Sequence, residues 1–342
     1  MFLHQLPVEL LDDIFQRVLP TDLASLSRLS SLIYPVARRL LYRHLSVSSR
    51  NAGAIITLAK KPELAQHVRT FAVRLDPSTL FRSFYHLLAT ALANMAEVTS
   101  LELLVDPGAS WVLPHRVFPR LEHFACSFPL DSHVVDFLCK TEALLQLEVD
   151  GISSPLSLPM PTIPDGSLPR LRGFKGSSHV AMAIIPGRPV ESIQLNSGDL
   201  TQDDIASLAQ STAHVAILGA TTSSLPVPLL QTLTHHLSHL AYLRIMTTYT
   251  FSEGPDAVRL SYGHYSQNGL KQFSQTFYQQ IANALTSLPN LRVFELSGMP
   301  WGSSLKTAEN EGRVWQSQPL TSTFSTADNT SLDDLHSDFF LA

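Results

Sequence analysis

Three histidines within five residues, His235, His236 and His239, form the pattern in this sequence that comes nearest to chemistry. His235 and His239 lie four apart, a spacing that puts two imidazoles on one helix face and makes a two-histidine metal clamp. No adjacent glutamate completes the zinc-protease pattern, and the segment falls where a helix-patterned stretch meets a turn. The reading is therefore a solvated helix end. Cys126 and Cys139 occupy strand-like and helix-like core positions, where cysteine serves as a small apolar residue, and both are expected to be inert. There is no G-x-S-x-G elbow, no P-loop and no G-x-G-x-x-G. The expectation is a chain that is not an enzyme, with no catalytic residue, metal or cofactor.

The remaining candidates are polar residues at one recurrent place in a repeated frame of apolar, two spacers, apolar, one spacer, apolar. The frame returns at Val68-Phe71-Val73, Val98-Leu101-Leu103, Leu121-Phe124-Cys126, Leu144-Leu147-Val149, Val190-Ile193-Leu195, Leu240-Leu243-Ile245 and Leu291-Phe294-Leu296. Weaker copies stand at Leu171-Phe174 and Val215-Ile217. Its final alternation is the period of a short strand. Side chains alternate across a strand, so Arg74, Glu102, Glu148, Asp150, Lys175, Gln194, Arg244 and Glu295 are expected to point away from the core onto a shared face. That face mixes signs and suits a protein or peptide target.

Helix-patterned segments separate these strands at Phe81 to Met95, Ser132 to Cys139, Gln202 to Gln210, Pro228 to Leu237 and Lys271 to Leu285. A strand and a helix recurring every 20 to 30 residues or so indicate a solenoid whose units bury their apolar side by stacking on one another. The stretch from Val190 to Gln210 resembles the long leucine-rich-repeat class nearly throughout, although Gly198 stands where that family prefers asparagine or cysteine. An irregular array is expected. Leu156 to Pro169 and Met246 to Gly269 interrupt it as loops.

Composition narrows the partners. The 342 residues are 44% hydrophobic and carry a formal net charge of −5, which offers no general attraction to phosphate backbones or anionic lipid. No nucleic-acid or membrane partner is expected. Two cysteines cannot build a disulfide framework, and the first residues lack a basic leader pattern, so the expected location is the cytoplasm, the nucleus or both.

The segment from Leu6 carries three apolar stripes at helical spacing, punctuated by Pro7, Pro20 and Pro35, with Thr21 as an expected N-cap. Three helices this short cannot bury all their leucines among themselves, and the surplus implies a partner or an adjoining domain. Leu6, Pro7, Glu9, Leu10, Leu11, Ile14, Phe15, Asp22 and Leu23 match the F-box signature at its spacing, and Leu40 to Arg43 resemble the tail of fungal members. Where many F-boxes have Val-Cys-basic-x-Trp, this chain has Leu29 to Tyr34 without the basic residue or the tryptophan. The resemblance implies that Leu6, Pro7, Leu10, Leu11, Ile14, Phe15 and Leu23 dock on a Skp-type adaptor and, through it, a cullin.

The sequence thus reads as an α/β chain: an F-box-like three-helix module over 1–46, a leucine-rich-repeat-like array with a parallel sheet over 47–302, and a mobile tail over 303–342. The expected function is substrate recognition for a Skp, cullin and F-box ubiquitin ligase, with an unnamed protein target on the array. The alternative is an interaction scaffold outside any ligase, in which the helices merely cap the array.

Overall fold

Each of the seven full apolar frames ends in a strand and buries its three frame residues. The structure, a computed structural model, describes residues 6–31, 33–76, 81–149, 161–247, 267–305 and 313–317. It begins with α1 (Val8–Phe15), α2 (Pro20–Leu26) and α3 (Tyr34–Arg43). The array then runs β1 (His44–Val47), α4 (Gly53–Lys60), α5 (Pro62–Ala65), β2 (Thr70–Arg74), α6 (Arg82–Asn94) and β3 (Ser100–Leu104). A 3-10 turn at Pro107–Val112 leads to β4 (His123–Cys126), α7 (Ser132–Leu138), β5 (Gln146–Val149) and β6 (Gly173–Ser177). Next come α8 (Ser178–Ile184), β7 (Ser192–Ser197), α9 (Gln202–Leu208), β8 (Ile217–Thr222), α10 (Pro226–His236) and β9 (Tyr242–Thr247). The chain closes with α11 (Gln267–Thr286), β10 (Val293–Leu296), β11 (Met299–Leu305) and β12 (Arg313–Ser317).

The twelve strands form one sheet in strict chain order. Neighbours from β1 to β10 pair in parallel, and β11 and β12 add an antiparallel hairpin. This is an α/β solenoid-like architecture. The frame residues of the strands and the apolar sides of the intervening helices merge into one continuous core, from Val47 to Trp315.

Hydroxyl side chains do much of the joining at the turns. Ser127 Oγ, just past β4, accepts from the Val105 N–H at 3.1 Å and donates to its carbonyl, and Ser211 Oγ treats Val190 in the same way. Thr222 Oγ1 donates to the Leu200 carbonyl at 2.9 Å. These bonds satisfy backbone groups that the sheet leaves free. Gly198 sits at φ +83°, and a Cβ there would lie 2.2 Å from Ser178 Oγ, so no asparagine could occupy this turn unchanged. Three helices carry side-chain N-caps that match their spacing: Asp131 on α7, Ser177 on α8, and a Thr201/Asp204 capping box on α9.

Several details differ from expectation. β8 buries Leu218 and Ala220 rather than Ile217 of the Val215-Ile217 reading, because its register sets Leu218 beside Ile193 and Leu243. β1 belongs to the sheet although its first three residues, His44 to Ser46, fall inside the segment assigned to the helical module. Part of the expected tail is ordered: Arg313–Ser317 pairs with β11 and buries Trp315. Thr21 is not a cap, since Pro20 occupies the first turn of α2. Asp150, residues 156–160 and 248–266 of the two loops, and residues 306–312 and 318–342 of the tail lie outside the described residues.

The third frame position of β6 is Gly176, and the reason is contact. A Cβ there would lie 2.7 Å from the Val149 carbonyl and 2.9 Å from the Phe174 ring. Gly176→Ala is expected to cost about 1–3 kcal/mol through overpacking, read as a lower urea midpoint at unchanged slope; an unshifted midpoint would contradict this packing.

Candidate interaction surfaces

In the helical module, two adjacent apolar doublets on α1 divide between inside and outside. Leu11 and Phe15, at 0% and 2% exposure, pack with Leu23, Ile33, Val36 and Ala37 into a small core separate from that of the array. Leu10 and Ile14, one residue earlier in each doublet, are 48% and 45% exposed. Neighbouring helix residues sit about 100° apart, so the two pairs cannot share a face. Of the seven residues expected to dock on an adaptor, Leu11, Phe15 and Leu23 are thus internal, whereas Pro7, Leu10 and Ile14 are exposed and Leu6 is partly covered. Val8, Leu19, Leu29 and Tyr34 are further exposed apolar residues of the module that the signature did not single out. Arg39 bonds Asp12 across the module at 2.6 Å.

The second surface is the outward face of the sheet. Its register aligns Ala72, Glu102, Ala125, Glu148, Lys175, Gln194, Gly219, Arg244 and Glu295 in a single row from β2 to β10. Six of the eight residues expected on this face fall in that row, and Arg74 lies on β2 two residues beyond it. Asp150 is not described. Gln194 differs from the others in being buried.

The charges along the row are paired between neighbouring strands. Arg74 donates two hydrogen bonds to the Glu102 carboxylate, at 2.5 and 3.0 Å, and this bonding raises the arginine's pKa. Lys175 Nζ lies 2.9 Å from Glu148 Oε1, and Arg244 Nε 3.2 Å from Glu295 Oε1. Burial, followed by Glu295, pushes the Tyr242 hydroxyl up from its ordinary value. A groove of about 720 Å³ runs over β3 to β7, with Glu102, His123, Gln146, Lys175 and Gln194 among its walls. His123 Nδ1 and Gln146 Oε1 stand 3.0 Å apart within it. Such a groove presents hydrogen-bonding groups and paired charges to solvent.

The histidine pattern is dispersed. α10 ends at His236, so His235 and His239 do not share a helical turn; the His239 ring instead packs on His214 with centroids 3.9 Å apart. Among the described residues no group of three His, Cys, Asp or Glu side chains is placed to hold a metal. Cys126 is buried, Cys139 is half-buried, and the two are not joined in a disulfide.

One polar residue had no signal in the sequence. Arg188 is 5% exposed, and its guanidinium donates to the carbonyls of Ser167, Ile184, Pro186, Ile163 and Pro164. Burial lowers its pKa. It ties the chain before β6 to the end of α8.

No protein-family model matches this sequence, and no curated protein matches it. Among solved structures, it is similar to a chain in the crystal structure of the Rad7 and Elc1 complex in yeast, with 14% identity and a TM-score of 0.34. That similarity covers 70% of this chain and 61% of the other, so this chain spans less than two thirds of its neighbour's length.

Proposed function

We propose that this protein is a non-enzymatic adaptor: its F-box-like helices dock on a Skp-type adaptor of a cullin ubiquitin ligase, and its strand face holds a protein target. The observation that carries the reading is the pair Leu10 and Ile14, large apolar side chains exposed on α1 at positions of the F-box signature. They are not needed for the module's own core, which Leu11 and Phe15 fill. Exposed apolar clusters of this kind mark interfaces. On this reading the docking residues are Leu6, Pro7, Leu10 and Ile14, with Leu11, Phe15 and Leu23 holding the helices beneath them. Work of this kind belongs in the cytoplasm or nucleus.

The test is a pull-down of the full chain by a purified Skp-type adaptor, comparing wild type with Leu10→Asp/Ile14→Asp. Buried apolar anchors contribute roughly 1–3 kcal/mol each, so the double variant is expected to bind about a hundredfold more weakly or worse. Its circular-dichroism spectrum should not change, because both side chains already face water. Undiminished binding would sink this docking face. A wild-type chain that fails to bind the adaptor would favour the scaffold outside any ligase.

A further inference from the structure

The groove over β3 to β7 has one place on its floor where the order of charge is interrupted. Arg74, Glu102, Ala125, Glu148 and Lys175 stand in that order on β2, β3, β4, β5 and β6. Arg74 bonds Glu102 on one side, and Lys175 pairs with Glu148 on the other. The signs therefore alternate across the five strands except at the centre, where Ala125 carries no charge. Ala125 and both glutamates line the groove.

Alanine is a poor strand former, and its methyl group stops short of the long side chains on either side, so the floor dips over β4. Glu102 and Glu148 leave the backbone about 9.6 Å apart, two strand steps of about 4.8 Å. Their side chains are 22% and 34% exposed, which leaves both within reach of a ligand. An ionised carboxylate has about four acceptor positions. Arg74 takes one on each Glu102 oxygen and Lys175 takes one on Glu148 Oε1, so these bonds saturate neither glutamate.

The sign of the occupant follows from this order. A cation over Ala125 has an anion as its nearest neighbour on each side and meets Arg74 and Lys175 only beyond them, whereas an anion meets the reverse. Glu122 and Arg172 also line the groove, one of each sign, and leave the balance unchanged. Among the described residues no group of three is placed to hold a metal, so the cation is one carried on a side-chain stem. We infer that the groove takes a lysine or arginine side chain of the protein target, its stem over Ala125 and its charge between Glu102 and Glu148. The inference rests on the strand face being the target surface and is independent of the helical module.

The first measurement needs no partner. Ala125→Lys supplies the missing cation from the chain itself and should melt no lower than wild type. Ala125→Glu sets three carboxylates in a row and should melt lower, by a margin that shrinks in high salt. Equal melting of the two variants would count against the charge order. For binding, a random 12-residue peptide library displayed on phage is panned on the full chain, and the selected peptides are synthesised. They are expected to share a Lys or Arg whose replacement by Met weakens binding tenfold or more. The same loss is expected on Ala125→Lys and on the near-isosteric pair Glu102→Gln/Glu148→Gln, with Skp-type adaptor binding unchanged. Peptides that share no basic residue, that bind the Gln pair undiminished, or that fail to enrich at all would overturn the subsite. Ala125→Trp, which fills the dip without charge, separates this failure from that of the strand face. Peptides without a shared basic residue that are lost on Ala125→Trp refute the cation and keep the face as the target surface; peptides that bind Ala125→Trp undiminished refute both.

Discussion

Phe15→Ala is expected to unfold the helical module while the array behind it stays folded. Phe15 is central to a cluster of six buried residues that shares none with the array's core. Truncating a buried phenylalanine costs about 3–5 kcal/mol through lost contacts and the cavity left behind. At the usual 0.05–0.15 kcal/mol per residue, roughly forty residues hold only about 2–6 kcal/mol. The substitution therefore removes most of what the module has. Hydrogen exchange should show protection lost over 8–43 and kept from β2 onward. Ile14→Ala, one residue away and exposed, should change stability by no more than about 0.5 kcal/mol. Equal effects at positions 14 and 15 would contradict the inside-outside division of α1.

The second large effect is expected at Arg188. Its guanidinium is buried against five carbonyls, with no carboxylate bonded to it among the described residues. Arg188→Met deletes the charge but strands those carbonyls, and losing one side of such a network costs about 3–5 kcal/mol. For a chain of 342 residues, at about 2.1 cal/mol/K of unfolding entropy per residue, the melting temperature should fall by roughly 4–7 °C. Arg188→Lys should recover only a fraction, because an ammonium is a point donor and cannot span five acceptors as a planar fork does. A fall below about 2 °C would mean that solvent replaces the guanidinium and that the clamp contributes little.

The repeated architecture was legible in the sequence because a strand buried on one face must repeat its apolar frame wherever it stacks on a similar strand. The misplacement of β8 has a physical cause. Ile217 and Leu218 are adjacent apolar residues, so local pattern permits either register, and only the neighbours β7 and β9 decide. The doublets Leu10-Leu11 and Ile14-Phe15 pose the same problem on a helix: two apolar stripes are visible, and the one that faces the module core depends on where α3 packs. The charged row was foreseeable from alternation. Arg188 was invisible because backbone carbonyls have no sequence signature, and the closing hairpin because Met299–Leu305 and Arg313–Ser317 do not repeat the apolar frame.

Strict strand order also turns the sheet into a ruler. Gly219 of the outward row is on β8, seven strand steps from β1 at the foot of the helical module. At about 4.8 Å per step, that is roughly 34 Å measured along the sheet. On the proposed function, a target on the array would be presented at a distance counted in whole repeats, with the outward row facing one side throughout. Evolution could retune that reach by duplicating or deleting a unit between the two ends, in increments of about 4.8 Å, without redesigning either contact. An enzyme recruited at the module would then find different lysines of the same captive within range.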